Sequence, residues 1–267
     1  MAVVQTPSGR KIYFDEAGDG PPLLLICGMV GVRQIWSPHV PALGAHFHLI
    51  MIDNRESGES DPESAPYTVA DMASDGAELL HALSIERAHV LGHSMGGFLA
   101  LNLAVNHPER IDRLILVSTT AATGAALGRP APRLDPAGWI ADPVERTRRQ
   151  LRTAAAPGYF DAHPAQLEAV CALMRGNRLS FEGLTRRTNA TYASHDVRDR
   201  LTAITAPTLV IHGDTDPSIP LESGRVLANA IPNARMTVFS GVGHFPQLER
   251  SDDFHRAVID FLEEGRG

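Results

Sequence analysis

In the stretch VLGHSMGGFLAL, residues 90–101, Ser94 stands between Gly92 and Gly96, two residues from each. A serine hydroxyl is a poor nucleophile at neutral pH. It attacks only when a histidine takes its proton and a carboxylate holds that histidine in the right tautomer. The apolar run before the serine reads as a strand and the apolar-periodic run after it as a helix, so Ser94 falls on a strand-turn-helix elbow. Glycines at 92 and 96 leave room for a tight, strained turn at the nucleophile, and Gly97 lets the helix approach the sheet. A glycine-rich crossover with an incidental serine has the same local pattern, so the partners decide.

Among twelve histidines, His244 has the suitable setting. The segment SGVGHFPQLERSDDF puts it in a loop after a strand and before the last helix, and Gly241 and Gly243 give that loop freedom to aim the ring. His81 on a helix face, His107 beside Pro108 and His93, pointing away from the nucleophile's side, read as structural. The carboxylate belongs on a loop after another strand, between serine and histidine in chain order. PTLVIHGDTDPSIP offers Asp214 and Asp216. Asp216 is favoured because it stands deeper in the loop, supported by Pro217 and Pro220, and Asp214 reads as a turn-former capping local backbone. Ser118, Thr119 and Thr120 occupy the alternative acid position and cannot be anions.

An oxyanion formed on attack needs donors already aimed at it, and backbone amides serve best because they need no reorganisation. The Met95 amide follows the nucleophile. The Met29 amide, in the CGMVG loop that Gly28 frees to turn, is the second candidate; a simple glycine turn is the plain alternative for that loop.

These loops need a sheet to carry them. Apolar, β-branched runs at 2–5, 11–16, 22–27, 47–53, 88–93, 112–118, 207–213 and 234–240 alternate with helical periodicity at 35–45, 68–83, 95–107, 221–230 and 251–264. That alternation predicts a mostly parallel sheet, with the first two strands as an antiparallel hairpin through PSG at 7–9. Between Ser118 and Pro207 the texture changes: breakers at GRPAPRLDPAG, then helical segments near 142–155, 164–174 and 180–194. Such a stretch is too long for a bare loop. It predicts a helical cap over residues 120–200, on a core formed by 1–119 and 201–267.

At 267 residues the chain fits one large α/β domain or a core with an insertion. The net charge of -7 argues against general nucleic-acid binding. The arginines of ERTRRQLR read as a solvated helical face or as a rim that attracts anions. No apolar run approaches the length of a membrane span, and Cys27 and Cys171 supply neither a disulfide framework nor a metal spacing. The expectation is a cytoplasmic protein with a small-molecule substrate, monomeric or homodimeric, with no nucleic-acid or membrane partner.

The order Ser94, Asp216, His244, the elbow GHSMGG, the segment APTLVIHGDTDPSIP and the ending GVGHFPQLE resemble the α/β-hydrolase superfamily, in its cap-bearing esterase, lactonase and carbon-carbon hydrolase branch. The likeness spans nearly all of the chain outside the cap. It implies the α/β-hydrolase fold: a mostly parallel eight-stranded sheet flanked by helices, with a helical cap insertion. It also implies an enzyme without metal or organic cofactor. Two positions depart from the family pattern. Cys27 stands where similar proteins carry a histidine that hydrogen-bonds the oxyanion loop, and DNRESGES has Glu56 where they carry a glycine. Glu56 is either an exposed loop charge or the partner of Arg55 or a cap arginine near the pocket mouth.

The expected reaction is acyl transfer from an ester or lactone of a small to medium hydrophobic molecule to water. Substrate contacts are expected from Gly28, Met29 and Trp36 and, in the cap, from Trp139, Tyr159, Phe160, Met174 and Phe181. A carbon-carbon hydrolase of vinylogous diketones would use the same triad, and a cofactor-free perhydrolase or haloperoxidase the same site. A ligand-binding protein on a hydrolase fold is the rival from another class. Epoxide and haloalkane hydrolysis are disfavoured, because their alkyl intermediate needs a carboxylate where this chain has Ser94.

Overall fold

The computed structural model describes residues 2–7 and 9–265. Its sheet has eight strands: β1 (Ala2–Gln5), β2 (Lys11–Ala17), β3 (Pro22–Ile26), β4 (His48–Ile52), β5 (Ala88–His93), β6 (Ile111–Val117), β7 (Thr208–Gly213) and β8 (Ala234–Phe239). They lie in the order β1-β2-β4-β3-β5-β6-β7-β8. β1 pairs antiparallel with β2, and β2 antiparallel with β4; from β4 to β8 every pairing is parallel. Ser8, in the predicted Pro7–Gly9 turn, lies outside the described residues; Gly9 N–H donates to Thr6 O at 2.8 Å beside it.

The central strands are apolar at nearly every position because both faces of the sheet are covered. Alternate residues serve different cores. Leu24, Ile26, Val90, Leu114 and Val210 face α2 (Val69–Ala82), α3 (Met95–Asn106) and α8 (Leu221–Ala230). Leu23, Leu25, Leu91, Ile115 and Ile211 face the short α1 (Val40–Leu43) and α10 (Ser251–Glu263). α2 begins at Thr68, whose side chain accepts from Asp71 N–H while the Asp71 carboxylate accepts from Thr68 N–H, a complete capping box. Residues 35–45 do not form the single helix expected. Pro38 and Pro41 lack the amide protons a continuous helix needs, and the segment breaks into a 3-10 stretch, Arg33–His39, followed by one turn at α1.

Between β6 and β7 lie α4 (Pro143–Ala154), α5 (Tyr159–Ala162), α6 (Pro164–Leu173) and α7 (Phe181–Ser194). They carry a small core of their own, with Leu151, Phe160, Leu167, Val170 and Cys171, which also takes in Phe245 and Leu248 from the region of α9 (Pro246–Glu249). Among the described residues no helix is long and apolar enough to cross a membrane. β3 is followed by β4 on one side and the chain then crosses to β5 on the other, so the strand order reverses there. In open α/β sheets the crevice at the carboxyl ends of the strands, at such a reversal, is where ligands bind.

Candidate active site

Ser94 sits between β5 and α3 with φ 56° and ψ -122°, in the left-handed half of backbone space that a residue with a Cβ rarely occupies. The close approach around it requires glycine. A Cβ on Gly92 would lie 2.2 Å from Gly96 O, and one on Gly96 would lie 2.2 Å from Ile26 O. The turn is pinned from outside: Ser94 N–H donates to Val117 O at 2.9 Å, and the Thr119 hydroxyl donates to Ser94 O at 2.9 Å.

Asp216 and His244, on the loops after β7 and β8, meet at 2.8 Å between Oδ2 and Nδ1. An ionised carboxylate can only accept, so Nδ1 carries the proton, and in the neutral ring Nε2 is left with its lone pair. Asp216 Oδ1 accepts from the Ser218 and Ile219 amides at 2.8 and 3.0 Å. Burial pushes the Asp216 carboxyl up, but the His244 hydrogen bond and charge and these two amides outweigh it and hold it below the ordinary carboxylate value. His212 supports the same loop, its Nε2–H donating to Ile219 O at 2.9 Å. Asp214 turns elsewhere: it accepts from Gly241 N–H at 2.7 Å and from the Ser240 hydroxyl at 2.9 Å, tying the β7 and β8 loops together.

The histidine loop is clamped by a residue that the sequence reading did not single out. Glu249 accepts from the amides of Gly243 and Phe245 on either side of His244, at 2.9 and 3.0 Å, and from the cap amide of Ala156 at 2.9 Å. His244 N–H itself donates to Ala154 O at 2.8 Å. Among the described residues, Ser94 Oγ and His244 Nε2 share no hydrogen bond; such bonds often tighten only in the substrate complex. His93 does not point away as expected. Its Nε2–H donates to His244 O at 2.8 Å and its ring lies 4.9 Å from the His244 ring. Burial lowers the His93 pKa to about 3, so it stays neutral.

Ser94 lines two cavities. The smaller, about 40 Å³, is bounded by Gly28, Trp36, His93, Met174 and Gln247. The larger, about 360 Å³, is bounded by Met29, Met95, Phe98, Leu127 and Ile219. A third, about 450 Å³, adjoins through Met29 and includes Trp139, Leu184 and Tyr192. Gly28, Met29, Trp36, Trp139 and Met174 therefore stand at these cavities. Three expected substrate contacts do not. Phe160 is packed inside the cap's own core, and Tyr159 donates its hydroxyl to Leu248 O at 3.1 Å. Phe181 rests edge-on against Trp139, centroids 5.8 Å apart, and lines none of the three.

Glu56 is the partner of a cap arginine, and it is buried. It adopts φ 61° despite its side chain, accepts from the Tyr67 hydroxyl at 2.7 Å and is bonded by the Arg186 guanidinium, with Nε at 2.8 Å. It lines none of the three cavities, so it fastens the cap without facing the pocket mouth. Glu56→Gly should relieve about 1 kcal/mol of backbone strain but orphan the Tyr67 hydroxyl, for a net loss of about 1–2 kcal/mol in urea unfolding. Michaelis constants for charged and neutral esters should shift together; a selective change for charged esters would put Glu56 at the pocket.

The sequence model for the alpha/beta hydrolase fold family matches residues 21–251. A putative carbamate hydrolase (RutD) of Azorhizobium caulinodans is 30% identical over 253 residues, covering 95% of each chain. A 2-hydroxy-6-oxo-6-phenylhexa-2,4-dienoate hydrolase of Comamonas testosteroni is 32% identical over 269 residues, covering 95% of this chain and 91% of its own. Among solved structures, the enol-lactonase of Burkholderia xenovorans LB400 superimposes with a TM-score of 0.82 at 28% identity, covering 98% of this chain and 100% of its own. The eight-stranded sheet with its reversal beside the Ser94 elbow and the family match over 21–251 lead to one conclusion: the chain belongs to the α/β-hydrolase superfamily and is an enzyme of that family.

Proposed function

We propose that this enzyme is a serine hydrolase that cleaves a carboxylic ester or lactone of a small to medium hydrophobic molecule through an acyl-enzyme on Ser94. The observation that carries the reading is the Asp216–His244 pair at 2.8 Å, delivered to the same end of the sheet as a serine held at φ 56°. His244 Nε2 takes the Ser94 proton as Oγ attacks the carbonyl, and Asp216 keeps the resulting imidazolium oriented and stabilised. The Met29 and Met95 amides hold the oxyanion. His244 then protonates the leaving oxygen, and a water molecule, deprotonated by the same ring, releases the acid. The larger cavity, with Met29, Met95, Phe98, Leu127 and Ile219 on its walls, suits a hydrophobic group of the substrate.

A second reading, a carbamate or amide-bearing substrate, is favoured by the smaller cavity. Trp36 Nε1 and Gln247 Oε1, on residues that line it, have no hydrogen-bond partner among the described residues. One donor and one acceptor complement a neutral N–H and C=O better than a carboxylate, and among the described residues no Lys or Arg lines this space.

Labelling with a fluorophosphonate followed by peptide mass mapping tests the mechanism, and a panel of aryl esters, lactones, carbamates and ring-fission dienoates tests the substrate. The expected result is a label on Ser94 and turnover of esters or lactones above the rest. A label elsewhere, or turnover of dienoates alone, would overturn the reading.

A further inference from the structure

The loop that offers the Met29 amide is a tight turn. Gly31 N–H donates to Gly28 O at 3.2 Å, and Met29 and Val30 are the turn's central residues. Because a peptide is planar and trans, the Met29 N–H points opposite to Gly28 C=O, so whatever holds this turn aims that amide. The turn abuts the nucleophile: a Cβ on Gly28 would lie 3.2 Å from Ser94 Cβ. Cys27, at its base, is fully buried, its thiol pKa pushed up to about 12 by that burial. Asn54 Nδ2 holds Cys27 O at 3.0 Å. The two carbonyls of the central residues are held from the cap. Arg187, on α7, donates from Nη1 to Met29 O, and Asn177, ahead of α7, donates from Nδ2 to Val30 O at 2.8 Å.

Arg187 is spent on this task. Its side chain is fully buried, its other terminal nitrogen donates to Arg55 O and to the Ser57 hydroxyl, the latter at 2.8 Å, and among the described residues no carboxylate pairs with it. A buried cation that bonds carbonyls and a hydroxyl, with its Nε left without a partner among the described residues, is costly to place, and it spans the cap, the oxyanion turn and the Arg55–Ser57 loop at once. Asn177 is fixed in its turn, its Oδ1 accepting from Leu179 N–H at 3.1 Å.

We propose that the cap completes the oxyanion hole: Arg187 and Asn177 are positioning residues that hold the Met29–Val30 turn, so the Met29 amide is aimed only when the cap is seated. The inference rests on the acyl-transfer reading above. It makes the cap part of the catalytic geometry, in a chain whose residue 27 supplies no side-chain donor to the turn.

The test compares wild type with Arg187→Met, Arg187→Lys and Asn177→Asp on an aryl ester, and measures inhibition by a matched trifluoromethyl ketone and methyl ketone. The first inhibitor adds the serine and forms an oxyanion; the second occupies the pocket without one. Asn177→Asp keeps the acceptor for Leu179 and removes only the donor to Val30, so it stands as the test should Arg187→Met fail to fold. Expected are a fall in kcat of about 10- to 1,000-fold for Arg187→Met and a smaller fall for Asn177→Asp. KM and methyl ketone affinity should stay near wild type, trifluoromethyl ketone affinity should fall in step with kcat, and Arg187→Lys should recover part of the loss. Unchanged kcat in both Arg187→Met and Asn177→Asp, or equal weakening of both ketones, would overturn the proposal while leaving the triad intact. A wild-type enzyme that neither hydrolyses the ester nor binds the trifluoromethyl ketone would overturn the acyl-transfer reading, and this inference with it.

Discussion

Replacing Ser94 with alanine is expected to lower kcat for the preferred ester by about a million-fold, leaving a residual rate about 10³–10⁴ above water that comes from the oxyanion donors and substrate binding. The loss is this large because, in the proposed mechanism, the hydroxyl is the atom that forms the acyl-enzyme, and the imidazole has nothing to activate without it. Adding His244→Ala to Ser94→Ala should cost almost nothing further, since the two act as a unit and effects within such a unit are far from additive. Folding should be almost unaffected. Alanine at φ 56° bears the same backbone strain as serine, Thr119 still bonds the backbone carbonyl at 94, and the Ser94 hydroxyl makes no hydrogen bond among the described residues. Thermal unfolding within about 0.5 kcal/mol of wild type is therefore expected alongside the kinetic collapse. Steady-state rates, checked by stoichiometric titration of the wild-type enzyme, measure this. A variant retaining more than about 1% of kcat would show that Ser94 is not the nucleophile, since even loss of a single oxyanion donor costs about 10²–10³.

What could be read from the chain alone divides along physical lines. Central strands such as Leu23–Ile26, Val90–His93 and Thr208–Gly213 are buried on both faces because helices cover both. By contrast β1, β2 and β8, at or near the edges, are partly exposed and show instead as short β-branched or alternating runs; all eight boundaries shift by only a residue or so. The elbow and the two loops that carry Asp216 and His244 are visible for a related reason: each comes after a strand, β5, β7 or β8, and glycines or prolines mark the turns. The clamps were not visible. Glu249 answers amides at 156 and 243, and Arg187 answers carbonyls at 29 and 55; such contacts are made by chain separated by as much as 158 residues, and one sequence carries no trace of that pairing. Aromatic residues in the cap were misplaced because a small insertion must build a core as well as a pocket wall. Phe160 and Trp139 are both large aromatic residues, and the packing sends the first inward and the second to the cavity. Glu56 was ambiguous because nothing local distinguishes a solvated carboxylate from one that meets Arg186 across the fold.

Asp216→Asn is the second large effect, an expected fall in kcat of about 10,000-fold. The amide group fits the same space, and its oxygen can still accept from the Ser218 and Ile219 amides where Asp216 Oδ1 does now. That leaves its NH₂ facing His244 Nδ1. A donor there selects the tautomer protonated on Nε2, which cannot take the Ser94 proton, so the site keeps its shape and loses its base. Asp214→Asn, which alters the bonds to Ser240 and Gly241 alone, should leave kcat within about three-fold of wild type, as surface changes usually cost little. The same exchange carries a pH signature. The folded Asp216 carboxyl is held below its ordinary value, so ionised Asp216 stabilises the fold above the unfolded carboxylate pKa of about 3.9, and that contribution disappears as pH falls through the lower folded value. The wild type should therefore be more stable than Asp216→Asn in urea near neutral pH, and the gap should narrow as the solution is acidified through and below that range. A stability gap that is flat with pH would separate the carboxylate's charge from its role in holding the loop. Near-wild-type kcat in Asp216→Asn, with a collapse in Asp214→Asn instead, would move the acid to the other carboxylate, against the 2.8 Å bond that joins Asp216 to His244.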